Sequence, residues 1–295
     1  MPATSNPPVQ LAFRPESLPD RLRFGLSGRP LLWRLVREVA SLPTALTPGE
    51  RDRAQKRASA ALLGHLRVHL DVGGTEYARG GPFLVIALHE GIVDVLALAG
   101  LPLPLRFVAR DEIFRWPGVG PAITRLGHVS IEPESGAAGY RQMVRAGREV
   151  VRGGESLAVF PQGTVLGLET DFQRGAFFLA RHLGLPVLPV VVTGTHRVWE
   201  HPFSPGLRYG QRVGLRVLPP VSREEVAATP PGELRVRLRR AMKRAALDPG
   251  LPPPRRYVPE RDGYWDGFRF DIDPDFPELR RRVIRHRQGH PGDPT

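Results

Sequence analysis

Residues 83–94 read Phe-Leu-Val-Ile-Ala-Leu-His-Glu-Gly-Ile-Val-Asp, an apolar run that meets polar side chains. The run Phe83–Leu88 is too short for a core helix, and its continuous apolar character is typical of a strand buried on both faces. The next stretch, Ile92–Ala99, has helical spacing. A buried strand that leads directly into a helix indicates an α/β unit.

The same alternation of strand and helix continues along the chain. Further apolar runs of strand length are Leu105–Ala109, Leu157–Phe160 and Val187–Thr193, and helical stretches are Gly139–Arg152 and Gly175–His182. An alternating pattern from Leu66 to Val72 predicts another strand, Tyr209–Leu218 a hairpin-like stretch, and Glu233–Ala246 a basic helix. The sequence therefore predicts an α/β fold, a mixed sheet flanked by helices.

The region before the sheet, residues 1–65, predicts an irregular segment followed by a helical pair. Residues 1–30 are rich in Pro and Arg and are expected to be irregular. From Leu31 apolar side chains recur at helical spacing as far as Pro43, and a second helix is expected from Thr47-Pro48 to about Gly64. The pair either packs on the core or lies as a basic surface on an anionic bilayer.

The central domain is expected over residues 66–250, and residues 251–295 form a zone of different composition. Pro252–Pro254 predicts a stiff linker. Seven acidic side chains accompany the aromatic ones in residues 260–278, among them Tyr264, Trp265, Phe268, Phe270 and Phe276, and residues 279–287 hold five arginines. A stretch so rich in aromatic residues is expected to wrap the body of the protein, with its arginine run on the surface.

Composition limits the classes of partner. The 295 residues are 41% apolar and carry a net charge of +12 at pH 7, which implies an anionic partner: nucleic acid, a lipid headgroup surface or a phosphorylated small molecule. Nucleic acid is disfavoured because the aromatic side chains of the last zone sit among acids. The chain has no cysteine, which excludes disulfides and a cysteine nucleophile.

The sequence gives no sign of a secretory signal or of a membrane span. MPATSNPPVQ lacks a basic stretch followed by an apolar core. No window approaches the ~20 uninterrupted apolar residues of a spanning helix. We therefore expect a cytoplasmic protein whose membrane contact is peripheral, on the inner face of the cell membrane.

Two short segments carry the candidate chemistry, each directly after a predicted strand. His89 and Asp94 are spaced so that the carboxylate, one helical turn further on, can orient the imidazole as a general base. In Phe160-Pro161-Gln162-Gly163-Thr164, the Pro and Gly predict a tight turn whose backbone N–H groups can face an anion. Ligands gather at the carboxyl ends of strands in open α/β sheets, so the two segments are expected to share a site.

Four ordered blocks between about residues 66 and 220 resemble the glycerolipid acyltransferase family, which includes the 1-acylglycerol-3-phosphate acyltransferases. His89 and Asp94 occupy the His and Asp of the family's first block, Asn-His-x-Ser-x-x-Asp. Residues 160–164 match its third block, Phe-Pro-Glu-Gly-Thr-Arg, and Phe172–Ala176 match the helix start that follows. The second block corresponds to Arg110–Ile113, Trp116–Gly120 and Gly127–Ile131, and the fourth to Leu185–Val190.

The resemblance implies an O-acyltransferase that moves a fatty acyl group from acyl-CoA or acyl carrier protein to a lysolipid hydroxyl. The first expected acceptor is 1-acylglycerol-3-phosphate, which would become phosphatidic acid, and the acyl thioester is a co-substrate, so no cofactor is expected. His89 would act as general base, oriented by Asp94, with no acyl-enzyme. The implied substrate-binding residues are Arg110, Phe160, Pro161, Gln162, Gly163, Thr164 and Arg174, and the turn at Gly163 and Thr164 would face the thioester oxygen.

The chain departs from the family pattern at several positions. Leu88 and Gly91 replace the Asn and Ser of the first block, and Gln162 replaces the Glu of the third. Val165 and Pro133 stand where the family carries arginines expected to bind the phosphate of the acceptor. Two alternatives therefore stay open: an acyltransferase for a different lysolipid or a glycolipid, and an inactive lipid-binding relic of the family.

No metal site is predicted. His89-Glu90 lacks the second His of a zinc-protease helix, because Val93 occupies its place. His65 and His69 are four residues apart but have no evident third ligand, and we interpret them as surface histidines.

Overall fold

The structure, a computed structural model, describes residues 18–132, 135–200, 207–264 and 270–289. Within these ranges the strands are β1 (His69–Gly73), β2 (Leu84–Ala87), β3 (Leu105–Arg110), β4 (Val129–Ile131), β5 (Ser156–Val159), β6 (Val187–Thr193) and β7 (Arg212–Val217). The helices are α1 (Leu18–Arg23), α2 (Arg29–Ala40), α3 (Pro48–His65), α4 (Val93–Leu98), α5 (Asp111–Phe114), α6 (Val119–Arg125), α7 (Ala137–Arg152), α8 (Gly175–Leu183), α9 (Thr195–Val198), α10 (Arg223–Ala228), α11 (Pro231–Ala246), α12 (Pro259–Asp262) and α13 (Pro277–Gly289).

The strands of the described residues form one mixed sheet in the order β1-β7-β6-β2-β5-β3-β4. Every neighbouring pair is parallel except β6 and β7, which are antiparallel. The predicted fold class is therefore confirmed. Strand β2 lies between β5 and β6, with Ile86 level with Val159 and Pro189. The segments that follow these three parallel strands consequently meet at one edge of the sheet.

Helices cover both faces of the sheet. Val85 and Ala87 of β2 face an apolar cluster that includes residues of α3 and α4, and Leu84 and Ile86 face a second cluster under α7, α8 and α11. Burial on both sides explains why this strand reads as a continuous apolar run rather than an alternating one.

The N-terminal region contains more helix than the sequence predicted. The expectation that residues 1–30 are irregular is wrong for residues 18–28, which form α1 and a π-helical turn, Phe24–Gly28; residues 1–17 lie outside the described part. Pro19 and Pro30 are each the second residue of a helix, where no backbone N–H is needed. The predicted helical pair, α2 and α3, is confirmed, and Thr47 and Glu50 cap α3 reciprocally.

Two strand predictions need correction. Leu66 does not open a strand: its N–H donates to Leu62 at the end of α3, its side chain is fully buried, and β1 begins only at His69. Tyr209–Leu218 is not a hairpin but contains the single strand β7, which pairs with β1 and β6. Alternating side chains indicate a strand, whereas the partner of that strand depends on distant sequence.

The C-terminal extension, described over residues 251–264 and 270–289, packs on the body of the protein as predicted. Its apolar side chains form a separate cluster with Leu166, consisting of Tyr257, Phe270, Ile272 and Val283. Arginines 280, 281 and 285 of α13 are exposed, while Trp265 and Phe268 lie outside the described residues. None of the helices in the described ranges combines the length and hydropathy that crossing a membrane requires.

Candidate active site

Three of the predicted site residues follow or end neighbouring parallel strands, at one edge of the sheet. His89 follows β2, Phe160 follows β5 next to it, and Arg110 ends β3 on the far side of β5. The carboxyl ends of these parallel strands point the same way. The topology therefore brings the first and third blocks together across more than seventy residues of sequence, as the contact between His89 and Gln162 shows.

The His89 imidazole is hydrogen-bonded to the Asp94 carboxylate, with Nδ1 2.7 Å from Oδ2. The same Oδ2 accepts the backbone N–H groups of Glu90 (2.6 Å) and Gly91 (3.0 Å). Because Oδ2 acts as an acceptor toward both backbone N–H groups, we assign the proton of the shared hydrogen bond to Nδ1 of His89, which leaves a lone pair on Nε2. This tautomer is the one that a general base requires.

The imidazole is fixed in its plane but remains accessible. Phe160 stacks on it, with ring centroids 3.9 Å apart and planes inclined by 15°, and Phe107 stacks behind Phe160 at 6.4 Å. The His89 side chain is 22% exposed, whereas that of Asp94 is fully buried. A substrate can therefore reach the ring, and water is kept away from the carboxylate.

Gly163 and Thr164 are the two residues expected to face the thioester oxygen. The backbone N–H of Gly163 is already used within its own turn. Its φ is +68°, and its N–H donates to the Phe160 carbonyl at 3.1 Å within the turn. Thr164 differs, because its hydroxyl oxygen accepts the Leu166 N–H at 3.3 Å and its hydroxyl proton is left to donate. Thr164 is therefore the stronger candidate of the two.

Gln162 is buried, at 1% exposure, and its amide is satisfied within the protein. The amide oxygen accepts the N–H of His89 at 2.9 Å, and the amide nitrogen donates to the Gly167 carbonyl (2.8 Å) and the Thr170 hydroxyl (2.7 Å). Pro161, beside it, is also buried. We interpret Gln162 as a residue that positions His89, instead of the substrate contact that the sequence predicted.

Two arginines, Arg110 and Arg174, are the residues expected to bind the acceptor phosphate. Arg110 is ion-paired with Glu112 at 3.1 Å and is 27% exposed, and Arg174 is exposed where α8 begins. Val165 packs against the apolar cluster of the C-terminal extension. Pro133 lies outside the described residues. Phosphate binding by Arg110 and Arg174 stays a prediction.

A second histidine–carboxylate pair, which was not predicted from the sequence, lies beside the first. Glu90, 4% exposed, lies 2.8 Å from His196 Nδ1, and the Thr195 hydroxyl lies between Glu90 and Asp94. Thr195 and His196 open α9, directly after β6, whose carboxyl end lies beside that of β2. The sequence signal that could have revealed this pair is the presence of polar residues directly after a buried strand.

The C-terminal extension holds the loop that follows Gln162. Lys243 donates to the Thr170 carbonyl (2.7 Å) and to Asp273 (2.6 Å), and Arg239 donates to Asp171 (2.8 Å). Burial lowers the pKa of the Lys243 ammonium. Burial alone would raise the pKa of Asp171, but hydrogen bonds from Arg239 and the Phe172 N–H lower it overall. The loop is thus tied by charge to both α11 and the extension.

The histidines at positions 65, 69 and 128 differ in their exposure and contacts. His128 is half-buried, its Nδ1 accepts the Phe107 N–H at 3.1 Å, and desolvation lowers the pKa of its imidazole to about 3. His65 contacts the Tyr209 hydroxyl at 2.9 Å, and His69 is exposed. In the described part of the chain no three His, Asp or Glu side chains are grouped so that they could hold a metal ion.

Comparison with known proteins finds chains that are similar to this one. Residues 69–193 match the family model described as Acyltransferase. The chain is 29% identical over 136 residues to the 1-acyl-sn-glycerol-3-phosphate acyltransferase of Limnanthes alba, covering 45% of this chain and 48% of that protein. Residues 69–193 are thus similar to the acyltransferases that this family model describes.

Other relatives of this acyltransferase domain come from distant organisms. The 1-acyl-sn-glycerol-3-phosphate acyltransferase of Pseudomonas aeruginosa is 29% identical over 125 residues, covering 42% of this chain and 49% of that protein. The alpha enzyme of that name from Bos taurus is 27% identical over 223 residues, covering 71% and 75%. The chain spans about half the length of the first curated relatives that it matches.

A solved structure shows the same fold. The crystal structure of the 1-acyl-sn-glycerophosphate acyltransferase PlsC from Thermotoga maritima aligns with a TM-score of 0.59 and 22% identity. The alignment covers 76% of this chain and 92% of that one. The PlsC-like fold therefore extends beyond the residues that the family model matches.

Proposed function

We propose that the protein is an O-acyltransferase that transfers a fatty acyl group from an acyl thioester to the hydroxyl of a lysolipid. The observation that carries this proposal is the His89–Asp94 pair, with Nδ1 2.7 Å from a buried carboxylate and the ring open to substrate. The family of residues 69–193 supports acyl transfer as the reaction.

The proposed reaction uses His89 as a general base. Nε2 takes the proton of the acceptor hydroxyl while that oxygen bonds to the carbonyl carbon of the thioester. The C–S bond then breaks, and the imidazolium returns the proton to the departing thiolate. Asp94 keeps the ring in the required tautomer and stabilises its protonated form, and Thr164 is the proposed donor to the carbonyl oxygen as negative charge develops there.

The first proposed acceptor is 1-acylglycerol-3-phosphate, which would give phosphatidic acid. The names of the relatives support it, and Arg174 and Arg110 have guanidinium groups exposed enough to meet a phosphate. One observation favours a second candidate, a lysolipid or glycolipid without a phosphomonoester. Val165, at a position where the family carries Arg, packs among the apolar side chains of the C-terminal extension.

The test is an acylation assay with the purified full chain. Acyl-CoA and acyl carrier protein are each offered with a panel of lysolipids, and release of the free thiol is measured. The substitution His89→Ala is expected to lower kcat by ~10²–10⁴-fold, because the general base is lost. His69→Ala, at an exposed histidine of β1, is the matched control and should leave turnover unchanged.

The outcomes separate the alternatives. Turnover that survives His89→Ala would discard the proposed mechanism. Preference for an acceptor without a phosphomonoester would select the second candidate. No turnover with any acceptor would favour an inactive lipid-binding relic of the family.

A further inference from the structure

The Asp94 carboxylate is held from two sides, by its own turn and by a residue distant in sequence. Its Oδ2 is used by His89 and by two backbone N–H groups of residues 90 and 91. Its Oδ1 accepts a hydrogen bond from the hydroxyl of Thr195, which is fully buried. This contact spans 101 residues of sequence.

Two glycines, Gly194 and Gly91, allow the segment that contains Thr195 to pack closely against neighbouring backbone. Gly194 has φ +85°, and a Cβ there would lie 2.7 Å from the Arg212 carbonyl oxygen. At Gly91 a Cβ would lie 3.0 Å from the Trp199 carbonyl oxygen. Gly91 is the position at which the family's first block carries Ser, and in this chain the hydroxyl that contacts Asp94 comes from Thr195, after β6.

Beside Thr195, the Glu90 carboxylate contacts both His196 and the C-terminal extension. Glu90 Oε2 lies 3.3 Å from the Thr195 hydroxyl and 2.8 Å from His196 Nδ1. Glu90 Oε1 accepts the backbone N–H of Arg255 at 2.8 Å. We name Thr195, Glu90 and His196 the carboxylate relay.

We propose that the carboxylate relay positions Asp94 toward His89, with Thr195 as its decisive member, and links this geometry to the C-terminal extension through Arg255. The inference rests on the proposed function. Thr195 fixes the plane of the carboxylate, because Oδ1 has no other donor among the described residues. Without that hydroxyl, a buried oxygen loses its hydrogen bond, and the orientation of the carboxylate toward Nδ1 depends on the contacts of Oδ2 alone.

The test uses Thr195→Val, which keeps the shape of the side chain and removes its hydroxyl. We expect kcat to fall by about 10- to 100-fold with KM changed less than about twofold, because orientation of the base is lost while substrate contacts remain. Thr195→Ser retains the hydroxyl and should recover most of the lost kcat. Far-UV circular dichroism and thermal unfolding establish that each variant is folded.

A matched control lies two residues away. Thr193 is also fully buried at the end of β6, but its hydroxyl has no hydrogen-bond partner among the described residues. Thr193→Val removes the same group and should leave kcat within about twofold of wild type. An equal loss in both variants would show that Thr195 acts through packing alone and would overturn the proposal.

Two further measurements keep the proposal falsifiable. In an Asp94→Asn background, Thr195→Val should lower kcat by less than about twofold, since the relay acts through that carboxylate. An undiminished effect in that background would overturn the relay. Glu90→Gln, a second variant of similar shape, should lower kcat without changing KM, and wild-type kcat would contradict the proposed chain. Absence of turnover by the unsubstituted chain with every acceptor would instead reject the proposed function.

Discussion

The buried side-chain amide of Gln162 acts both as a hydrogen-bond acceptor and as a donor. Its oxygen accepts the His89 N–H, and its nitrogen donates to the Gly167 carbonyl and the Thr170 hydroxyl. A carboxylate, the group that the family carries here, has no hydrogen to donate to Gly167. The glutamine of this chain is therefore required by the loop around it.

Restoring the family's residue by Gln162→Glu is accordingly expected to destabilise the protein. At neutral pH it sets a buried carboxylate oxygen against the Gly167 carbonyl, at a cost of ~1–3 kcal/mol of unfolding free energy. The protonated carboxyl can donate to Gly167, so its pKa in the folded chain is raised above the ordinary value of about 4.3. The protonated form supplies its stabilisation below that value and loses it as pH rises through the raised pKa.

Urea unfolding at about pH 5 and about pH 8 measures this effect, and the deficit relative to wild type should be larger at the higher pH. The control is Gln173→Glu, the same change at an exposed side chain of the same loop. A deficit that is equal at both pH values, or absent, would contradict the assigned hydrogen bonds.

Between helix α11 and the C-terminal extension, a buried ion cluster joins two parts of the chain. Lys243 and Arg239 of α11 contact Asp273 of the extension, and Arg239 also contacts Asp171 after the Gln162 loop. Each side chain of this cluster is at most 11% exposed. Removal of one partner leaves a buried charge without its counter-ion.

The substitution Lys243→Met is expected to lower the unfolding free energy by ~3–5 kcal/mol, and Asp273→Asn by a similar amount. The double variant should lose less than the sum of the two, since neither charge is then left alone. Chemical denaturation of the full chain measures all three. For comparison, Arg237→Met breaks an exposed pair with Glu225 (45% exposed on each side) and should cost ~1 kcal/mol or less. Strict additivity in the cycle would show that Lys243 and Asp273 do not interact.

The elements that the sequence predicted correctly are those whose signal is local. Strands β2, β5 and β6 appear as short, largely apolar runs because the sheet is covered on both faces, and in β3 such a run is interrupted by Arg106. The helix at residues 18–23 was missed because Pro19 looks like a breaker but stands in the first turn. The partners of β7 were missed because pairing depends on strands far away in the sequence.

In the site, too, the contacts between residues close in sequence were predicted, and those between distant residues were not. His89 and Asp94 are five residues apart, and their spacing together with their position after a buried strand predicted the contact that the structure shows. Thr195 approaches Asp94 from the end of another strand, and nothing near residue 94 indicates it. The role of Gln162 depends on Gly167 and Thr170, which became its partners only through the path of the loop. Residue types predicted the chemistry, and the topology supplied the groups that orient it.

At the scale of the whole molecule, the N-terminal helices carry exposed apolar side chains that could contact a membrane surface. Leu18, Leu22, Leu26 and Trp33 in the N-terminal helices are all more than half exposed. Arginines are interspersed along the same segment, at positions 21, 23, 29, 34 and 37. We propose that this N-terminal face lies on an anionic lipid surface, at the inner side of the cell membrane, because it combines apolar contact with positive charge.

Sedimentation with lipid vesicles tests this face. Binding is expected to require anionic lipid and to weaken between about 0.1 M and about 1 M salt, as the screening length falls from about 10 Å to about 3 Å. Replacing Leu22 and Leu26 together by Glu should weaken binding by about tenfold or more, since apolar contact is lost and negative charge is added. Leu247→Glu, at a leucine that is 51% exposed just beyond α11, is the matched control and should bind nearly as wild type. Equal binding to neutral vesicles at high salt would contradict the electrostatic part, and an equal loss in the control would contradict the assignment of the N-terminal face.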